Sequence, residues 1–352
     1  MVVLGADVHK RSHTFVAVDD RGRKAGEKTV PATTEGHLKA LAWAKTNFGE
    51  DLLWGIEDCR NLSARLERDL LSAGQKVVRV APKLMAHERA GARTQGKSDP
   101  IDALAVARAV LRHPDLPVAA HDEVSRELKL LVDRREDLVA QRTSTINRLL
   151  GRIHELDPTQ ILKKKALTRA KAQTAMAAWL ATIDGLLAEL ATDELGDIIR
   201  LTLSINELEK RIGTAVRAVA PQLLALPGCA ELTAAKIVGE TAGITRFKNE
   251  AAFACHTGTA PIPVWSGNTA GRVRLSRAGN RQLNAALYRI ALTQTRLADS
   301  PGQTYYRKRI DQDGKTKAEA LRCLKRRLAR VVYNRLHADE QSRHHTHQTA
   351  AA

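Results

Sequence analysis

Aromatic residues are scarce. Four Trp, four Tyr and four Phe make up 3 % of the 352 residues. So few rings leave little on which unstacked bases could lie, which argues against single-strand platforms and for backbone recognition. Cysteine is also rare. Cys59, Cys229, Cys255 and Cys323 show neither CxxC spacing nor a disulfide framework, and Cys255-His256 are adjacent, a poor geometry for a shared zinc ion. They read as thiols of a reducing compartment. No run of about 18 apolar residues occurs, so no membrane span is expected. The start lacks the basic-then-apolar pattern of a secretory signal, because Val2-Val3-Leu4 leads directly to polar Asp7 and His9. The expectation is a soluble cytoplasmic protein with no membrane partner.

Acidic residues are in deficit: 39 Asp+Glu stand against 56 Lys+Arg, a formal net charge of +17. The excess is localised. From Ser266 onward there are 18 Lys/Arg and six Asp/Glu, so this last quarter carries twelve of the seventeen positive charges. A merely solvated surface would spread the charge more evenly, and a polyanionic partner is the natural reading. Nucleic-acid contacts are expected from Arg272, Arg274, Arg277, Arg281, Arg307, Lys308, Arg309, Lys325, Arg326 and Arg327.

Patterning divides the chain. Over 1–120, apolar runs at Val2–Val8, Thr14–Val18, Lys24–Val30, Leu52–Ile56 and Lys76–Val80 predict strands, the last stopped by Pro82. Helical spacing is found over Thr34–Phe48 and Leu62–Leu71. A hairpin meander followed by strand–helix alternation is the order of a ribonuclease-H-like (RuvC-like) α/β fold. Over 121–215, leucines and isoleucines recur at three- and four-residue spacing on both sides of Asp157-Pro158. This predicts long helices folded back as a helical-hairpin or coiled-coil spacer. The basic stretch Lys163–Lys171 after the break reads equally as a solvated tip or a nucleic-acid contact. A mainly α C-terminal domain, 216–338, contains Pro227-Gly228, Ser266-Gly267, a helix from about Arg281 to Arg296, and one helix over 307–335. Residues 339–352 read as a disordered tail.

Four acids stand out by position. Asp7 lies near the end of the first strand, and Glu57 ends the fourth, with Asp58 beside it. Asp99 and Asp102 flank Pro100, a residue favoured in a helix's first turn, so they open a helix and project to neighbouring positions. If strand ends and helix start converge, the four carboxylates demand a divalent cation, and Mg²⁺ takes such hard oxygen ligands. The competing reading is that Asp99 and Asp102 serve only to start the helix, one as N-cap and the other three residues on.

The order Gly5-Ala6-Asp7-Val8-His9-Lys10, strand-end Glu57, then Lys97-Ser98-Asp99-Pro100-Ile101-Asp102-Ala103 resembles the DEDD catalytic set of the IS-one-ten (IS110) family of insertion-sequence transposases. Their N-terminal domain is similar to the RuvC Holliday-junction resolvases. Leu226-Pro227-Gly228-Cys229-Ala230, Thr245-Arg246-Phe247, Gly258–Pro261, Ser266-Gly267 and Ser276-Arg277-Ala278-Gly279-Asn280 extend the resemblance over most of 1–335. It implies a two-part active site. Asp7, Glu57, Asp99 and Asp102 would bind Mg²⁺, and Ser266 would be the nucleophile that links to a DNA phosphate. It further implies donor and target DNA as partners, a bridge RNA as guide, assembly into dimers and tetramers, and a nucleoid-associated location. Ser276, before a helix start, is the rival serine. Pro227-Gly228-Cys229-Ala230 resembles a helix-hairpin-helix turn whose backbone N–H groups hold a phosphate, with Ala230 where a second glycine is usual. Two other functions remain open: a junction-resolving nuclease that uses the same acids with water, and a non-catalytic nucleic-acid-binding protein.

Overall fold

A computed structural model describes residues 1–57, 62–91, 96–120, 122–163, 165–275 and 279–350, the side chains of Leu275 and of 344–350 excepted. By internal contacts the chain forms two units, 1–123 with 241–338, and 124–240 with 339–352. No helix among the described residues is long and apolar enough to cross a membrane.

The first unit is organised around β1 (Val2–Val8), an apolar strand buried on both faces from Val3 onward. β2 (Ser12–Val18) and β3 (Lys24–Pro31) continue it as an antiparallel meander on one side. β4 (Leu52–Glu57) and β5 (Lys76–Val80) extend it on the other, parallel to β1, giving the order β3-β2-β1-β4-β5. This is the ribonuclease-H-like arrangement read from the sequence. A sheet buried on both faces needs a helical layer on each. α1 (Thr34–Phe48) and α2 (Ala64–Ser72) cover the face that carries Leu4, Ala6, Trp54 and Ile56. α3 (Pro82–Ala90) and α4 (Asp99–Arg112) cover the face that carries Val3, Val16, Val78 and Val80.

Glycines set how closely α4 lies. A Cβ on Gly5 would sit 2.0 Å from the Ala103 carbonyl oxygen and 2.4 Å from the Ala107 nitrogen. One on Gly55 would sit 2.6 Å from a Val110 methyl. Bare backbone lets the helix backbone touch the sheet at Gly5 and lets the valine side chains of α4 pack onto it at Gly55.

Within the same unit, α10 (Glu250–His256) leads into a two-stranded hairpin of β6 (Pro261–Pro263) and β7 (Val273–Leu275). α11 (Arg281–Arg296) and α12 (Pro301–Asp311) follow, then α13 (Lys317–Ala350), of which the residues to Ala338 belong to this unit. Asn280 caps α11 through the Gln282 and Leu283 N–H groups, and Ser300 caps α12 through Gln303 N–H. Arg246 donates to the Thr241 carbonyl at 2.8 Å, and its guanidinium lies 4.4 Å from the Phe247 ring centroid.

The second unit contains α5 (Glu123–Leu156) and α7 (Leu186–Val219), each of 34 residues, with α6 (Ala170–Leu180) between them in sequence. Leu149, Ile153, Leu167, Met176, Leu180, Leu195 and Ile198 pack as their shared core. α5 ends before Asp157, whose carboxylate accepts the Thr159 N–H at 2.9 Å. α8 (Pro221–Leu224) and α9 (Glu231–Thr241) flank the Pro227-Gly228 turn.

One reading is extended and two need correction. The tail at 339–352, read as disordered, is helical through Ala350 as the last part of α13. Pro82 does more than stop β5: it sits in the first turn of α3, where its missing N–H has no intrahelical role. The single helix expected over 307–335 is two, because the chain turns between Asp311 and Lys317 at Asp313-Gly314, with Gly314 at φ +62°.

Candidate active site

The β1–β4 pairing runs to Ala6↔Ile56, and Asp7 and Glu57 are the next residues on their strands. Side chains alternate across a sheet. Asp7 therefore falls with Val3 and Gly5 on the face beneath α4, and Glu57 falls there with Leu53 and Gly55. The first turn of α4 brings Asp99 and Asp102 to the same place. Ser98, in extended conformation, holds the N-cap position and makes no side-chain cap bond. Asp99 is thus the first helical residue rather than the cap, and it shares the first turn with Asp102, where carboxylates also favour a helix start.

Asp7 and Asp99 meet around His9. His9 Nε2 lies 3.0 Å from Asp7 Oδ2 and 3.3 Å from Asp99 Oδ1, and one ligand atom from each of the three residues falls within 4.8 Å of the other two. Asp7 is buried at 7 % exposure, whereas His9 and Asp99 are open to solvent, so the cluster has a floor and an accessible side. Burial is the main force that raises the Asp7 pKa, opposed by His9 and reinforced by repulsion from Asp102 and Asp99. Asp102 is buried as well, and Arg89 of α3 donates to its Oδ1 at 2.8 Å. The donor set, hard oxygens beside one imidazole with a surplus of negative charge, fits a divalent cation.

Ser266 lies elsewhere in its unit's chain, on the β6–β7 connection. It precedes a one-turn 3₁₀ helix (Gly267–Thr269) in a capping box: its N–H donates to Thr269 Oγ1 at 3.0 Å, and that hydroxyl donates to the Ser266 carbonyl at 2.9 Å. Every residue from Pro261 to Arg274 is exposed, including Trp265. Among the described residues, the hydrogen bonds of Ser266 close within its own turn and none reaches an acid. Ser276 and Arg277 lie outside the described residues, as do Asp58 and Cys59.

The other basic residues singled out fall into three kinds. Arg272, Arg274, Arg281, Arg307 and Lys308 are exposed. Arg309 pairs with Asp313 at 2.5 Å, Arg326 lies 3.6 Å from Glu250, and Arg327 stacks 4.6 Å from the Tyr305 ring centroid. Lys325 is buried.

Sequence reasoning missed His9 and Arg89 as parts of the site. His9 had a local signal, two residues beyond Asp7 and thus on the same side of the chain. Arg89 had none, because its contact with Asp102 depends on how α3 packs against α4.

Two transposase family models match the chain. A DEDD transposase model of the IS110 type covers residues 4–158, and the model described as "Transposase IS116/IS110/IS902 family" covers residues 220–307. The 42 kDa protein of insertion element IS900 from Mycobacterium paratuberculosis is 26 % identical over all of this chain and 99 % of the relative. The 44.8 kDa protein of insertion element IS116 from Streptomyces clavuligerus is 25 % identical over 94 % of this chain and 93 % of the relative. Among solved structures, the Thermus thermophilus RuvC structure aligns with 32 % of this chain and 95 % of its own, at 15 % identity and a TM-score of 0.27. With both halves matched in order, the chain belongs to the IS110 family of transposases and acts on DNA.

Proposed function

We propose that this transposase cuts and rejoins DNA through a covalent serine–phosphate intermediate, with Mg²⁺ held by Asp7, Glu57, Asp99 and Asp102. The observation that carries the reading is the meeting of Asp7 and Asp99 beside His9 at the end of β1. When bound, a divalent cation neutralises the scissile phosphate and raises its electrophilicity. Asp7 gives the site a rigid, desolvated oxygen donor. Asp99 and Asp102 arrive on a helix locked to the sheet by Gly5 and Gly55. Arg89 holds Asp102 in place.

In the proposed step the Ser266 Oγ bonds to phosphorus, its proton passes to a base, and the ester bond to one deoxyribose oxygen breaks as that oxygen takes up a proton. Attack by a deoxyribose hydroxyl from the exchanging strand reverses these changes and frees the serine. The stored ester allows rejoining without an external energy source. Assembly into a dimer or tetramer, which the resemblance implies, is part of the proposal. A bridge RNA as guide is also part of it, supported by the resemblance and by a net charge of +17.

Denaturing a stalled reaction tests the mechanism. Wild-type protein is expected to carry DNA on Ser266, and Ser266→Ala to lose both adduct and product while it still binds DNA. Multiple-turnover cutting by Ser266→Ala without an adduct would establish water as nucleophile and overturn the serine step. Sequencing RNA that co-purifies with the protein tests the guide; element-encoded non-coding RNA is expected, and its absence counts against guidance.

A further inference from the structure

α11 and α13 wall a cleft of about 1220 Å³ in the first unit. That exceeds the roughly 300–1,000 Å³ of pockets shaped for one small molecule. Arg274, Arg281, Arg322 and Lys325 line it. Glu250 in the same wall pairs with Arg330 at 3.1 Å and lies 3.6 Å from Arg326, whereas those four cations make no ion pair with a described carboxylate.

Lys325 differs from the others in its burial, at 8 % exposure. Its ammonium donates to Asn284 Oδ1 at 2.7 Å. The Asn284 NH₂ group in turn donates to the carbonyls of Thr257 and Gly258, at 2.9 and 3.2 Å, which fixes its oxygen toward the lysine. An ammonium has three N–H donors, and this neutral amide accepts one. Burial, then repulsion from Arg322, pushes the Lys325 pKa below its ordinary value. A buried cation among cations opposes folding unless an anion completes it.

We propose that this cleft holds the backbone of duplex DNA, with Lys325 anchoring one phosphate, Arg322 and Arg281 holding its neighbours, and Asn284 as the positioning residue. A duplex is favoured over a single strand because cations already lie against the two tyrosine rings of the cleft: Arg309 and Arg327 lie 4.9 and 4.6 Å from the Tyr305 ring centroid, and the Lys325 ammonium lies 5.9 Å from that of Tyr288. The inference rests on the reading of the chain as a DNA-acting transposase.

Titration of full-length protein with a fluorescent DNA duplex, across about 50 to 200 mM salt, tests it. Lys325→Gln keeps an N–H for Asn284 and removes the charge. Its duplex affinity is expected to fall about tenfold, with the slope of log K against log salt shallower by about one. The thermal midpoint of the free protein is expected to hold or rise, the opposite of what a purely structural lysine predicts. Should Lys325→Gln fail to fold, the exposed Arg322→Gln carries the same test of slope. Unchanged affinity and slope in the folded variants overturn the proposal, as does a loss seen only with RNA. A wild-type protein that binds no duplex at any salt overturns the DNA reading beneath it instead.

Discussion

The two halves of the candidate active site are held by different means. Asp7 is buried beneath α4, and the helix that brings Asp99 and Asp102 is fixed by backbone contact at Gly5. Ser266 is exposed, and the bonds that position it close over three residues. The carboxylates are therefore as stable in position as the sheet, while the serine depends on one local turn. The first group suits a cation that must find its ligands ready. The second suits a nucleophile that must approach, link and leave.

The largest expected effect separates chemistry from stability in the buried half. Asp7→Asn is expected to lower recombination by about a thousandfold or more, the scale of several kcal/mol of lost charge stabilisation. Its thermal midpoint is expected to hold or rise, because burial and the neighbouring acids already disfavour the Asp7 carboxylate. Recombination at the wild-type rate would remove Asp7 from the site.

The next effect concerns acid stability of the same sheet. His13 is buried and stacks on His37 with ring centroids 5.0 Å apart, and burial with that neighbour pushes its pKa down to about 4. The His37 ring hydrogen-bonds Asp69 at 2.7 Å. In the unfolded chain His13 takes up a proton near its ordinary pKa, whereas in the folded protein it stays neutral until about pH 4. Its contribution is thus complete above about pH 6.5 and lost as pH falls toward 4, by about 3 kcal/mol. Denaturant unfolding at several pH values checks this. His13→Phe is expected to flatten the curve over that window, and an unchanged pH dependence would assign it to other groups.

A smaller effect tests the close contact itself. Gly5→Ala forces α4 away from β1, at an expected cost of about 2 kcal/mol. Activity is expected to fall further than unfolding accounts for, measured at a temperature where the variant remains folded. A variant as active and stable as wild type would show that the helix can withdraw without moving Asp99 and Asp102.

The strands of the sheet were legible in the sequence because most are short apolar runs ended by a turn or an acid, and the fold class followed from the hairpin meander and the strand–helix alternation after it. Asp7, Glu57, Asp99 and Asp102 were singled out by their places at strand ends and a helix start and by the resemblance to the DEDD set, and of these Asp7 and Asp99 meet beside His9. What was hidden depends on packing between elements. Gly5 and Gly55 look like weak strand residues until α4 lies on them. The stacking of His13 on His37 joins residues 24 positions apart that share no local pattern. The Ser98 cap was hidden differently, because Ser and Asp are comparable caps and Pro100 is accommodated from either start. The break before α13 was masked by basic residues that continue through it.

The β6–β7 hairpin pairs only three residues per strand, Pro261↔Leu275, Ile262↔Arg274 and Pro263↔Val273. Two of the three on β6 are prolines and have no N–H to give. The element that presents Ser266 is therefore among the first to open in the native state. Its amides should exchange with solvent at free energies far below that of global unfolding, and a protease should find Arg272 and Arg274 before any bond in the sheet. Binding that protected these amides would report closure over the serine without any reaction having occurred.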